Sequence, residues 1–256
     1  MILTFDVGNT NIKFGLWDKE NLLGDWRVNT KRDLSGDELG FMVDGFLRIG
    51  NYSISQLEDM VVASVVPTMR PALERFSNKY LKKPPIFVEG HSQKMIKIDY
   101  SDPRQVGADR VVVSIAAWHR FHESLIVIDF GTATTFDCVS KDGVYLGGSI
   151  APGFRLSAEA LFSRAALLPK MENFYKALNA ICKDTVNGLN SGLVLGYTGL
   201  VEGMVSRIKN EMGDDPKVVA TGGLAALFAN HTDVIDEVLP NLTLEGLKIV
   251  YDQKKW

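Results

Sequence analysis

One short pattern occurs twice in this chain, and the repetition restricts the fold more than any other feature. Ile2-Leu3-Thr4-Phe5-Asp6-Val7-Gly8-Asn9-Thr10 leads into Asn11-Ile12-Lys13-Phe14-Gly15-Leu16-Trp17-Asp18. Leu125-Ile126-Val127-Ile128-Asp129-Phe130-Gly131-Thr132-Ala133-Thr134-Thr135 leads into Phe136-Asp137-Cys138-Val139. Each copy reads as an apolar strand, an Asp-x-Gly turn with small polar residues, and a second strand. Asp129 follows Asp6 by close to half the chain, so one unit is used twice. We expect two halves, residues 1–118 and 119–256.

Between the repeats the pattern is α/β. Asp37 to Ile49 predicts an amphipathic helix, Met60 to Val66 a buried strand stopped by Pro67, and Arg70 to Tyr80 a helix. Ile86-Phe87-Val88 reads as a short strand, and Arg104 to Phe121 as a long helix closing the first half. In the second half, Tyr145 to Ile150 reads as a strand, Ala151-Pro152-Gly153 opens a helix, and Thr185 to Glu211 is a long helix. Lys217 to Ala220 is a strand leading into Thr221-Gly222-Gly223 and another helix. Strands alternating with helices imply a largely parallel sheet in each half, with hairpins at the repeated units.

Each repeated turn suits a phosphate group. A strand-end carboxylate such as Asp6 holds Mg²⁺ directly or through water, because magnesium favours oxygen ligands and keeps several waters. Gly8 lets the backbone approach an anion; turn amides and the Asn9, Thr10 and Asn11 side chains donate to phosphate oxygens, and Lys13 adds positive charge. The competing reading is an ordinary hairpin turn, in which Asp, Gly and Asn are common. In the second copy, Thr132, Thr134 and Thr135 supply hydroxyls that need partners. Thr221-Gly222-Gly223 would let the flat base of a nucleotide approach the backbone. Gly107-Ala108-Asp109-Arg110 sets an Asp beside an Arg early in a helix, where the pair either binds an anion and takes a proton or forms a plain surface ion pair.

The set resembles the superfamily of acetate and sugar kinases, Hsp70 and actin, and within it is similar to the type III pantothenate kinases. The resemblance runs over nearly the whole chain. It rests on Asp6 to Thr10, Gly107 to Arg110, Asp129 to Thr135, Gly147-Gly148 with Pro152-Gly153, and Thr221-Gly222-Gly223. It implies two duplicated actin/ribonuclease-H-like domains with an interdomain cleft, ATP with Mg²⁺, and phosphorylation of the primary hydroxyl of pantothenate in coenzyme A synthesis. Asp6, Val7, Gly8, Asn9, Thr10, Asn11, Ile12, Lys13 and Thr132 then contact ATP, and Asp109 is the general base. Tyr100, Gly107, Ala108, Asp109 and Arg110 hold pantothenate, and Asp129 binds a monovalent cation, K⁺ or NH₄⁺. Thr185 matches a substrate contact supplied by a second subunit, which implies a homodimer; Gly188, Gly192 and Gly196 on one helix face allow close helix approach, which packing within one subunit would explain equally well.

Two departures concern the acceptor. Ala165 stands where the family usually has Thr, and Cys182 where it usually has Gly. The first keeps open an alternative, a non-catalytic nucleotide-binding regulatory relative of the same fold; an actin-like assembling ATPase would need large insertions the chain lacks.

Composition bounds the rest. Net charge is −3, from 28 basic and 31 acidic side chains, so no nucleic-acid partner is expected. Two cysteines make no disulfide framework, and four scattered histidines make no zinc site. The opening residues do not read as a secretory signal, and no apolar run reaches membrane-helix length, so a cytoplasmic protein is expected. No Walker-type Gly-x-x-x-x-Gly-Lys-[Ser/Thr] occurs, which argues against a P-loop kinase.

Overall fold

The computed structural model describes residues 1–165 and 167–254. The chain divides into two compact units. One is Met1–Ala116 together with the chain from Leu242 onward; the other is Ala117–Asn241.

In the first unit, β1 (Ile2–Val7), β2 (Asn11–Asp18) and β3 (Asn21–Asn29) form an antiparallel meander, followed by α1 (Gly36–Ile49). Next come β4 (Asp59–Ser64), α2 (Arg70–Phe76), β5 (Ile86–Phe87), β6 (Lys97–Ile98) and α3 (Ala108–Phe121), whose residues from Ala117 belong to the second unit. β4 runs parallel to β1 and β5 parallel to β4, giving the order β3-β2-β1-β4-β5. The second unit contains β7 (Leu125–Phe130), β8 (Ala133–Val139), β9 (Val144–Pro152), α4 (Phe154–Arg164), α5 (Thr185–Met212), β10 (Lys217–Gly222), α6 (Ala225–Ala229) and β11 (Glu237–Val238). Its strands take the order β9-β8-β7-β10-β11, with β7, β8 and β9 antiparallel and β10 and β11 parallel to β7. Strand for strand, this is the order of the first unit. The duplication inferred from two short turns extends through both sheets.

The last helix, α7 (Leu242–Lys254), goes with the first unit rather than the second half. It lies against β1, β2 and β4, and Gly246 meets the backbone of Val112 in α3. A Cβ at Gly246 would collide with the Val112 carbonyl, so the close approach of the two helices requires glycine there.

Each unit has its own core. In the first, Phe5 stacks on Phe14 with centroids 5.1 Å apart, and Leu39, Val43 and Leu47 from α1 close over them with Leu73 and Phe76 from α2. In the second, Phe130 stacks on Phe228 at 5.0 Å, flanked by Phe154, Tyr197 and the α5 residues Val194, Val201 and Val205. Local signals set the ends of these helices. Ser35 and Glu38 form a reciprocal capping box at α1, and Asp184 caps α5, which stops at Gly213 in the left-handed region.

The helix expected from Arg104 is in fact broken. Pro103–Gln105 forms a single 3₁₀ turn capped by Asp102, Val106 is extended, and α3 begins at Ala108. Asp109 therefore sits in the first turn of a helix rather than in its second.

Candidate active site

The first repeated turn joins β1 to β2. The Gly8 N–H donates to the Asn11 carbonyl at 3.0 Å, closing the turn, and a Cβ at Gly8 would crowd that carbonyl at 3.2 Å. Asp6 lies directly across the ladder from Lys13, so both side chains project from the same face, half-buried. Asn9 and Thr10 are exposed at the tip and Asn11 is half-buried. Val7 and Ile12 are fully buried in the core, so they offer a ligand only their backbone. Strand β3 braces the turn: Thr30 donates its hydroxyl to the Gly8 carbonyl at 2.7 Å and its N–H to the Thr10 carbonyl at 2.9 Å. Sequence reading overlooked Thr30, because no pattern links it to a turn some twenty residues earlier.

The second turn is one residue shorter. Gly131 N–H donates to the Ala133 carbonyl, and Gly153 N–H to the Thr132 carbonyl, each at 3.1 Å. A Cβ at Gly153 would collide with the carbonyls of Gly131 and Thr132. Gly222, at φ +92, packs against the Asp129 carboxylate and the Phe130 backbone, where a side chain would collide and strain the chain. Gly222 thus lets the end of β10 lie hard against Asp129.

Of the three hydroxyls expected to face phosphate, two are engaged inside the unit. Thr134 is buried, 2.7 Å from the Tyr197 hydroxyl, which also reaches the Pro152 carbonyl at 2.8 Å. Thr135 donates to Asp137 at 2.9 Å, and this fully buried carboxylate also accepts from Tyr145 at 2.8 Å. Their positions explain this: Thr134 points into the core face of β8, and Thr135 finds a carboxylate two residues on. Thr132 stands exposed at the tip, and Asp129 is half-buried opposite Thr135.

Asp109 opens α3. Its Oδ1 accepts the Arg110 N–H at 2.8 Å, and Gly107 leaves room for this carboxylate, which a Cβ there would strike. Burial pushes its carboxyl above the usual carboxylate range, against the opposing pull of the Arg110 N–H and guanidinium. Arg110 itself is buried. A carboxyl held this way is tuned towards accepting a proton nearer neutrality. Asp109 is half-buried and Arg110 buried, so the pair is not a fully exposed one.

The remaining expected residues are spread over two regions. Tyr100 is exposed on the segment before Asp102. Thr185 is exposed at the first position of α5, beside Asp184, which caps the helix by accepting from Asn187. Cys182 donates to the Asn179 carbonyl and lines a cavity of about 600 Å³ with Tyr175, Asp184 and Asn187. Ala165 follows the end of α4, and Ala166 lies outside the described residues. Among the described residues, side chains built at Gly188, Gly192, Gly196 and Gly199 would meet nothing within 4 Å. Leu167, Leu178, Ile181 and Val186 are exposed in the same unit.

Among the described residues, no group of three or more His, Cys, Asp or Glu side chains is placed to hold a metal ion. Magnesium at such a site would rely on single carboxylates and on the phosphate oxygens themselves, which is its usual habit with nucleotides. Among the same residues, no helix is long and apolar enough to cross a membrane.

Two units of one strand order, each with an Asp-x-Gly turn between its first two strands, define the actin-like class that includes the sugar kinases. The solved structures agree on the fold. A Campylobacter jejuni protein described as belonging to the Baf family of transcriptional activators superposes with a TM-score of 0.62 at 22% identity, covering 99% of this chain and 98% of that one. A Listeria monocytogenes protein assigned as an N-acetylmannosamine kinase gives 0.57 at 11% identity, covering 100% and 99%. The family model for type III pantothenate kinase matches residues 2–207. A type III pantothenate kinase from Desulfatibacillum aliphaticivorans is 47% identical over 99% of this chain and 98% of its own length. This chain belongs to the type III pantothenate kinase family.

Proposed function

We propose that the chain transfers the γ-phosphoryl group of Mg·ATP to the primary hydroxyl of pantothenate, giving 4′-phosphopantothenate at the start of coenzyme A synthesis. The observation that carries this reading is the family match along the whole length of the chain. A non-catalytic relative is the weaker alternative, since both Asp-x-Gly turns and the Asp109 site are intact.

Asp109 accepts the proton as the substrate oxygen attacks phosphorus in line; its raised pKa supports that role. Arg110, the backbone at Gly107 and Ala108, and Tyr100 orient the acceptor, together with Thr185 of the partner subunit in a homodimer. The open glycine face of α5 and the exposed apolar side chains of the second unit support such a dimer. Asp6 through Lys13 and Thr132 bind the nucleotide, Asp6 holding magnesium directly or through water. Bound magnesium and a monovalent cation (K⁺ or NH₄⁺) beside Asp129 offset phosphate charge, so the protein's own task is mainly positioning. We place the enzyme in the cytoplasm, in keeping with two cysteines that are not joined in a disulfide.

An ADP-release assay with pantothenate, with and without potassium, tests the reading. Pantothenate-dependent ADP release, stimulated by potassium, is expected. No release, or release indifferent to pantothenate, would overturn it.

A further inference from the structure

A turn that receives phosphate must present N–H groups and turn its carbonyl oxygens away, because a carbonyl dipole facing an anion repels it. In the first turn three carbonyls are committed elsewhere. Gly8 O accepts from the Thr30 hydroxyl at 2.7 Å, Thr10 O from the Thr30 N–H at 2.9 Å, and Asn11 O from the Gly8 N–H at 3.0 Å. Two of these three bonds come from one residue just past the end of β3. The second turn solves the same problem with main chain alone. Its Thr132 carbonyl is held by the Gly153 N–H and its Ala133 carbonyl by the Gly131 N–H, each at 3.1 Å. There no bond of the brace comes from a side chain, whereas in the first turn one of the bonds is a side-chain hydroxyl. We propose that Thr30 is a positioning residue for nucleotide binding, fixing the Gly8–Asn11 turn with its amide edge outward. The proposal rests on the kinase reading above.

Thr30→Val keeps the shape and the backbone N–H but removes the Oγ1 donor, and Thr30→Ser keeps the donor. The affinity of each protein for a non-hydrolysable ATP analogue with Mg²⁺ is measured by calorimetry, alongside KM, kcat and the melting temperature without nucleotide. Thr30→Val should weaken the analogue and raise the KM for ATP about three- to tenfold, the weight of one neutral hydrogen bond. The KM for pantothenate should stay unchanged, and Thr30→Ser should restore ATP affinity. Thr30→Ala is the second variant should the valine protein fail to fold. Wild-type analogue affinity in the variant, whatever its melting temperature, would overturn the role and make Thr30 a purely structural brace. Wild-type protein that binds no analogue at all would instead overturn the kinase reading, and the Thr30 proposal with it.

Discussion

Lys13 stands directly across the β1–β2 ladder from Asp6, whereas in the second unit Thr135 stands across from Asp129. The two hairpins share an ancestor pattern but not a charge. The first pairs its carboxylate with a cation, and the second with a neutral hydroxyl already donated to Asp137. The asymmetry is in keeping with the roles proposed above, Asp6 towards magnesium-bound phosphate and Asp129 towards a monovalent cation.

Asp6→Asn should therefore cut kcat/KM for Mg·ATP about a hundredfold, the scale of losing one charge-stabilising group at a reacting centre. Steady-state kinetics across a magnesium titration check this; a variant at near wild-type rate would remove Asp6 from the metal.

Asp109→Asn should lower kcat by roughly 10² to 10⁴ while ATP still binds. It should also melt higher than wild type at neutral pH. The folded carboxyl has a raised pKa, so the native state holds its proton more tightly than the unfolded chain. Wild-type stability then falls as pH rises from the ordinary carboxylate range through that raised value, and asparagine escapes the loss. The melting-temperature gap should shrink towards zero as pH falls below about 4. Calorimetry at several pH values measures it; a gap that grows on acidification would contradict a raised pKa.

The threonines of the second turn should separate cleanly. Thr132→Val should raise the KM for ATP and leave the melting temperature alone, because its side chain is exposed. Thr134→Val should cost about 1 kcal/mol of stability, a buried hydrogen bond to Tyr197, and leave the KM for ATP unchanged. Denaturant melts and ATP kinetics on the two variants decide the matter.

Gly192→Leu should shift the proposed dimer to monomer in sedimentation, since the open face it would obstruct is the one proposed for a second copy. Pantothenate kinase activity should fall with it, because the proposed contact from Thr185 of the partner subunit is then lost. An unchanged dimer would move the interface elsewhere.

Much of the fold was legible because it is local. The repeated strand–turn–strand, the long α5 and the Gly-Gly turn after β10 all announce themselves in runs of a few residues. What stayed hidden depends on contacts distant in sequence. Thr134 and Thr135 looked available for phosphate until Tyr197 and Asp137 were seen to hold them. Thr30 carries no motif, and its role comes only from where β3 ends. The start of α3 was misread because the pattern of apolar residues continues through Val106, although the backbone there is extended. At Asp109 the sequence supplied the Asp-Arg pair but could not reveal how far the fold buries it.

The return of α7 to the first unit has a consequence for biosynthesis. Residues 1–116 are made before the inserted unit, yet the unit they belong to lacks its closing helix until Leu242–Lys254 has emerged. The inserted unit, Ala117–Asn241, is contiguous and becomes complete earlier. Domains made on the ribosome generally mature from the N-terminus onward; here the order of completion is reversed. The leading sheet must wait, one flank uncovered, for a helix made only after the whole inserted unit.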